Sequence, residues 1–263
     1  MNNSPYLLCN TPNRQAAEII KKKIADSKPF SLTRYGDGEI CLLRYDDNEL
    51  RNRIYCKNWG YNQKQELSIA LKDFRAMAIK TLQDTDMIGV LDRGANKDNI
   101  LPAKKYPPER WAFPISFLKK HNVDTKNRLV CDHQITRHME FGNIHNFKKI
   151  LQGKSLQIIS PNIELLKKRE IDKLLGVKVY YTKISRSTSF RARGAELKYI
   201  LKSIRAPVVI YGTGSGYKDL GNLIRDRRGS VVIDMGATLD AWSGLETRKW
   251  FRKGGKQYYL VIE

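Results

Sequence analysis

The sequence predicts an α/β protein with a mostly parallel sheet and helices on both faces. Three observations carry that expectation. Segments of helical periodicity alternate with short apolar runs along the 263 residues. The short runs, such as MIGVL (87–91), SLQIIS (155–160) and SVVIDMG (230–236), are apolar nearly throughout, as strands covered on both faces must be. Polar and charged residues follow those runs, at the strand ends where Rossmann-like sheets bind their ligands. With no internal repeat and no low-complexity linker, one Rossmann-like domain over residues 1–263 is the simplest division.

The elements follow in order. Thr11-Pro12 reads as N-cap and first position of a helix in which Ala16, Ile19, Ile20 and Ile24 recur at helical spacing up to Ser27. Residues 30–35 read as a strand and 39–45 as a short helix. From Gln63 to Gln83, Leu67, Ala70, Leu71, Phe74, Met77 and Ala78 form one apolar face. MIGVL is the next strand, followed by a polar, proline-containing loop over 92–109, long enough to suggest function. A helix near 109–121 leads to the strand RLVCD (128–132), and a further helix leads to SLQIIS. A helix over 162–175 and the strand VKVYYTKI (177–184) come next. The loop SRSTSFRARG (185–194) precedes a helix over 195–204; then come the strand and glycine loop PVVIYGTGSG (207–216), SVVIDMG, and a last strand YYLVI (258–262).

Net charge is +21, spread along the chain rather than gathered in one tail. Such a field favours phosphate-rich ligands, anionic headgroups or nucleic acid. A nucleic-acid partner is the least supported, because no helix-turn-helix, zinc or RNA-binding signature accompanies the charge. No run approaches the roughly 18 apolar residues that cross a bilayer, and MNNSPYLLCN lacks the pattern of a signal peptide. The four cysteines are scattered and the four histidines show no H-E-x-x-H spacing, so reduced thiols in a cytoplasmic protein are expected. RKWFRKGGKQYY (248–259) mixes cations and aromatics as a peripheral contact with the inner, anionic membrane face would, or as a solvated turn would.

Candidate site residues lie at the strand ends. Arg34, Gly36, Asp37, Gly38 and Glu39 follow the first strand, Asp92 and Arg93 the second, and Asp132 and His133 the third. His133 is a candidate for acid/base work. In SRSTSFRARG, Arg186, Arg191 and Arg193 offer forked guanidiniums among hydroxyls, a set that holds phosphate, although a solvated basic loop has the same look. Gly212, Gly214, Ser215 and Gly216 form a loop whose N–H groups are expected to cradle phosphate at a helix start. Asp234 closes the next strand, where the ribose acid of a dinucleotide or S-adenosylmethionine fold would sit, but the spacing is G-x-G-x-G and few residues follow. Asp240 and Trp242 offer a carboxylate and an aromatic face for a sugar or acceptor; a core tryptophan is an equal reading.

RYGDGE (34–39) resembles the signature of the GT-D-type glycosyltransferases, an α/β family of bacterial cell-surface glycan assembly. The D-x-E motif of that family is Asp37-Gly38-Glu39 here, with Arg34 and Gly36 ahead of it; the likeness is weaker in the glycine loop and the IDMG strand. The resemblance implies transfer of a sugar from a diphosphate-activated donor, most simply a nucleotide sugar, to a glycan or lipid-linked acceptor, with Mn²⁺ or Mg²⁺. It implies that Asp37 and Glu39 hold the metal, or that one of them is a general base, and that Arg34, Arg186 and Arg193 meet phosphate. A phosphoribosyl diphosphate donor and an S-adenosylmethionine-dependent methyltransferase are the alternatives.

Overall fold

The computed structural model describes residues 9–36, 39, 43, 64–90, 116–137, 139–185 and 193–245. Its strands are β1 (Phe30–Tyr35), β2 (Met87–Val90), β3 (Leu129–Asp132), β4 (Leu156–Ser160), β5 (Val179–Lys183), β6 (Val208–Tyr211) and β7 (Val231–Asp234). They form one sheet in the order β3-β2-β1-β7-β6-β4-β5, and every pairing is parallel. β1 is an inner strand beside the central β7, with Leu32 opposite Met87 on one side and Phe30 opposite Val231 on the other.

The bounded helices among the described residues are α1 (Asn13–Ala25), α2 (Lys64–Asp84), α3 (Met139–Gly142), α4 (Ile144–Leu151), α5 (Lys168–Leu175), α6 (Arg193–Ser203), α7 (Leu220–Arg228) and α8 (Thr238–Trp242), and residues 116–120 are also helical. Strand side chains alternate between two cores, which explains why the strands read as continuous apolar runs. Val231 and Ile233 pack with Ile20, Phe147, Ile171 and Trp242. Val232, between them, packs with Ile200, Leu220 and Ile224 on the opposite face. Phe74, Ala78 and Leu82 of α2 extend that second face over Ile88 and Val130. Three layers result, with α1, α3, α4, α5 and α8 on one side and α2, α6 and α7 on the other.

Two expectations shift. Pro12 rather than Thr11 stands at the N-cap of α1. Thr11 is occupied elsewhere, its N–H bonded to Val130 O at 3.0 Å and its hydroxyl to Asn10 Oδ1 at 2.7 Å. The helix expected over 162–175 is two pieces, a 3₁₀ turn at Ile163–Leu165 and then α5. Leu166 breaks it, turning extended (φ −75°, ψ 140°) to bury its side chain, while Lys167 N–H donates to Ser243 Oγ at 3.0 Å. The loop 92–109, the strand 258–262 and most of the short helix 39–45 lie outside the described residues; Glu39 and Leu43 are helical. Among the described residues no helix is long and apolar enough to cross a membrane.

Aromatic packing locks the first layer. The Phe147 ring centroid lies 5.2 Å from that of Trp242 and 6.1 Å from that of Phe141, and Trp242 Nε1 donates to Gly142 O at 2.7 Å. Phe147→Ala therefore empties the junction of three helices and is expected to cost about 3–5 kcal/mol. A lower urea midpoint with an unchanged slope would register that loss.

Candidate active site at the strand carboxyl ends

β1 delivers the first side chains of the site. The chain turns after Tyr35, and Gly36 N–H donates to Glu39 Oε2 at 3.0 Å, the reach-back that a glutamate makes in a capping box. The other oxygen, Oε1, meets Lys218 Nζ at 3.2 Å. Lys218 is only 4% exposed, and it also donates to Arg34 O at 2.7 Å and Asp234 Oδ2 at 2.8 Å. Two hydrogen bonds and one ion pair thus surround the ammonium group. Burial alone would lower the Lys218 pKa, but Asp234 and Glu39 outweigh it and hold the group above the usual lysine value.

Arg34 turns inward beside this pair. Its Nη1 donates to His133 O at 2.7 Å and Thr136 Oγ1 at 2.6 Å, and Nη2 lies 3.9 Å from Asp234 Oδ1. To get there the side chain crosses β2 over Gly89, where a Cβ would stand 2.9 Å from Arg34 Cγ. Gly236 meets the far end of the same side chain: it has φ +54°, and a Cβ there would fall on Nη2. Glycine is required at Gly236 by both conformation and space.

The third wall is the end of β3. Asp132 Oδ1 accepts the Gln134 N–H at 2.9 Å, starting the 3₁₀ turn His133–Arg137. His133 Nδ1 lies 2.9 Å from the same oxygen, a close polar contact without hydrogen-bond alignment. The ring faces Gly36: the Cβ position there is 3.4 Å from both Glu39 Oε2 and His133 Cδ2, and 4.0 Å from His133 Nε2. A carboxylate and an imidazole thus flank one point at the edge of the sheet. Arg34 Nε, Gln134 Oε1 and Thr213 Oγ1, near the carboxyl ends of β1, β3 and β6, are buried without a hydrogen-bond partner, unmet polarity strung along this edge of the sheet.

The glycine loop after β6 packs against the turn after β7. Gly212 sits so close to the turn after β7 that a Cβ would stand 2.6 Å from Gly236 O. Gly214 has φ +71°, and Ser215–Tyr217 then form a buried 3₁₀ turn. α7 begins only at Leu220, so Gly212, Gly214, Ser215 and Gly216 do not open directly onto its first turn. What the loop delivers is Lys218, beneath Glu39 and Asp234.

The family profile described as "GT-D fold-like domain" matches residues 11–242. The chain belongs to the GT-D-like family. Two solved structures are similar to this GT-D-like chain. One, "The highly conserved domain of unknown function 1792 has a distinct glycosyltransferase fold", is 16% identical with a TM-score of 0.55 over 93% of this chain and 82% of that one. The other, "A New Glycosyltransferase (DUF1792) from Streptococcus sanguinis", is 17% identical with a TM-score of 0.50 over 91% and 84%. At such identities the likeness is one of fold. No curated protein sequence shows significant similarity to the chain.

Within this GT-D-like frame the remaining candidates separate. Trp242 is fully buried, so neither ring face is open to a sugar, which corrects the acceptor expectation in favour of a core role. Asp234, expected as a ribose acid, is 2% exposed and bound to Lys218 and the Arg34 N–H, which removes the basis of the methyltransferase reading. Arg34, expected on phosphate, braces β1 against β3. Arg193 opens α6 and pairs with Asp219, and Asp240 Oδ1 accepts from Asn162 Nδ2 at 2.8 Å, close to the sheet edge but apart from Glu39. Asp37, Gly38, Asp92, Arg93, Arg186 and Arg191 lie outside the described residues. Lys218 was missed, because a lone lysine in a lysine-rich chain carries no motif.

Lys218→Met would strand Asp234 and Glu39 without their shared cation and is expected to cost about 3–5 kcal/mol, part of it recovered by adding Asp234→Asn. Chemical denaturation of the single and double variants measures both. Burial also pushes the Tyr35 and Tyr211 phenols up, reinforced by Glu39 at Tyr35 and by Asp234 at Tyr211. These phenols and Lys218 hold their protons more tightly folded than unfolded. Their contribution is therefore level below the unfolded values of about 10 and declines as pH rises beyond them. Thermal midpoints followed from neutral to alkaline pH should show that decline, with no pH dependence from these groups near neutrality.

Proposed function

We propose that the protein is a glycosyltransferase that moves a sugar from a diphosphate-activated donor, most simply a nucleotide sugar, to a hydroxyl of a glycan or lipid-linked acceptor. The observation that carries this reading is the convergence of Glu39, the Gly36 N–H and His133 at the carboxyl edge of a GT-D-like sheet. In such a transfer the bond from the anomeric carbon to the diphosphate breaks and the acceptor oxygen takes its place. The acceptor loses a proton, and the departing diphosphate gains negative charge that the site must meet.

His133 is the base in this reading. Its Nε2 side faces Gly36 and Glu39, while Asp132 sits at Nδ1 and can stabilise the ring as it gains a proton. Glu39 uses one acceptor direction on each oxygen, for Lys218 and for Gly36 N–H. Roughly two of its four lone-pair directions are left, so a hard cation fits. Among the described residues no three metal-binding side chains stand together. Mn²⁺ or Mg²⁺ would therefore be held by Glu39, Asp37 and the donor phosphates, the sparse protein ligation usual for such ions. When bound, the cation supplies neutralisation of the leaving diphosphate. Arg193 at the start of α6, with Arg186 and Arg191 just ahead of it in sequence, is proposed to contact phosphate, and Asp92, Arg93 and Asp240 the acceptor.

A panel of nucleotide sugars with and without Mn²⁺, read by thermal unfolding, tests the reading. A true donor at a hundredfold excess over its Kd should add about 2.7 kcal/mol of stability. Glu39→Gln and Asp37→Asn should each remove the metal-dependent part. A response to phosphoribosyl diphosphate alone would change the donor, and a response to S-adenosylmethionine alone would overturn the proposal.

A further inference from the structure

The amino end of the sheet carries a charged surface that the chemistry above does not use. In a parallel sheet the covering helices run against the strands, so their carboxyl ends gather where the strands begin. α1 ends on Lys22 and Lys23, α4 on Lys148 and Lys149, and α5 on Lys173. These helices are neighbours in one layer, α4 packing against both of the others. Their ends are tied together: Gln152 Nε2 donates to Lys21 O at 3.2 Å, and Lys154 Nζ to Ser27 Oγ at 3.1 Å. Lys148 Nζ reaches within 3.1 Å of the Cβ position of Gly176, just past the end of α5.

Helix dipoles explain a cation at each helix end, but the patch has more. Lys28, Lys154 and Lys178 each follow one of these helix ends by three residues and extend the charge beyond the last turn, where the dipole effect fades. Lys22, Lys148, Lys149 and Lys173 are exposed, and Lys28 with Asp26 at 3.6 Å makes a solvent-facing pair. The opposite layer adds mostly arginines. α2 has no basic residue in its last turn, Arg225 of α7 is engaged by Asp84, Asp86 and Asp226, and Lys202 ends α6 while Arg227 and Arg228 end α7. Among the described residues, the lysines at helix ends gather mainly on the side of α1, α4 and α5.

We infer that the lysine-bearing ends of α1, α4 and α5 dock the protein on an anionic lipid bilayer. Ammonium groups are compact, hydrated point charges, suited to a diffuse field of headgroups rather than to bidentate reading of bases. Single-stranded nucleic acid would call for exposed aromatic platforms beside the charge. The large apolar side chains exposed among the described residues, Leu165 and Tyr199, lie in the turn after β4 and along α6, away from this end. Docking here leaves the strand carboxyl ends, and the candidate active site, facing solution. The inference is independent of the proposed chemistry, since binding to vesicles needs neither donor nor acceptor.

Co-sedimentation with phosphatidylcholine vesicles, with and without phosphatidylglycerol, tests it on the full chain. Binding is expected only to the anionic vesicles and should weaken steeply with salt. Lys148→Glu/Lys149→Glu should weaken it by a factor of about ten or more. Lys72→Glu/Lys198→Glu, an equal change of net charge on the other layer, should shift it by less than about threefold. Circular dichroism would verify that both variants fold. Equal losses in the two variants would reduce the effect to net charge and overturn the docking surface. Tighter, salt-sensitive binding to duplex or single-stranded DNA than to anionic vesicles would overturn it in favour of a nucleic acid.

Discussion

Two carboxylates share one buried lysine beneath the carboxyl end of β1, and the rest of the site is arranged around that constraint. A buried ammonium is tolerable only when it is hydrogen-bonded and its charge is balanced. Lys218 meets both conditions through Arg34 O, Asp234 and Glu39, while Arg34 adds a second cation against Asp234. Two positive and two negative groups close the local balance. Glu39 is thereby fixed at both oxygens while still offering lone pairs, the geometry needed to hold a cation or to steer a proton. Rigidity of this kind is built before any ligand arrives, so binding need not order the carboxylate.

The same constraint explains the glycines. Gly89 makes room for the Arg34 side chain, Gly236 lets its guanidinium lie against the backbone after β7, and Gly212 lets the turn after β6 approach that backbone. Strands β1, β2, β3, β6 and β7 or their exits all contribute to this edge of the sheet. Parallel strands make this convergence natural, because all their carboxyl ends arrive at one edge.

The strands were readable because burial on both faces leaves an unbroken apolar run, and the long helix α2 because its apolar stripe has a clean period. The break at Leu166 was not, since a leucine that leaves a helix to enter a core has the same letter as one that stays. Glu39 stood out with Arg34 in one short glycine-set motif, and the structure brings to it His133, which the sequence offered only as a separate strand end. Asp234 and Trp242 were noticed for the right places but the wrong tasks: a strand-end acid or a tryptophan reveals nothing of which way its side chain faces. Lys218 was invisible because its significance is entirely a matter of three contacts, two of them to residues far away in sequence.

Arg34 passes over one glycine and ends on another, and this has an evolutionary corollary. Positions 34, 89 and 236 sit on three different strands or their exits, yet each is shaped around the same side chain. Substitutions among them should be epistatic rather than additive. A lineage that replaced either glycine would first have to shorten or lose the arginine, and in doing so would give up the brace between β1 and β3. The three positions are best regarded as a single inherited character, carried or abandoned together.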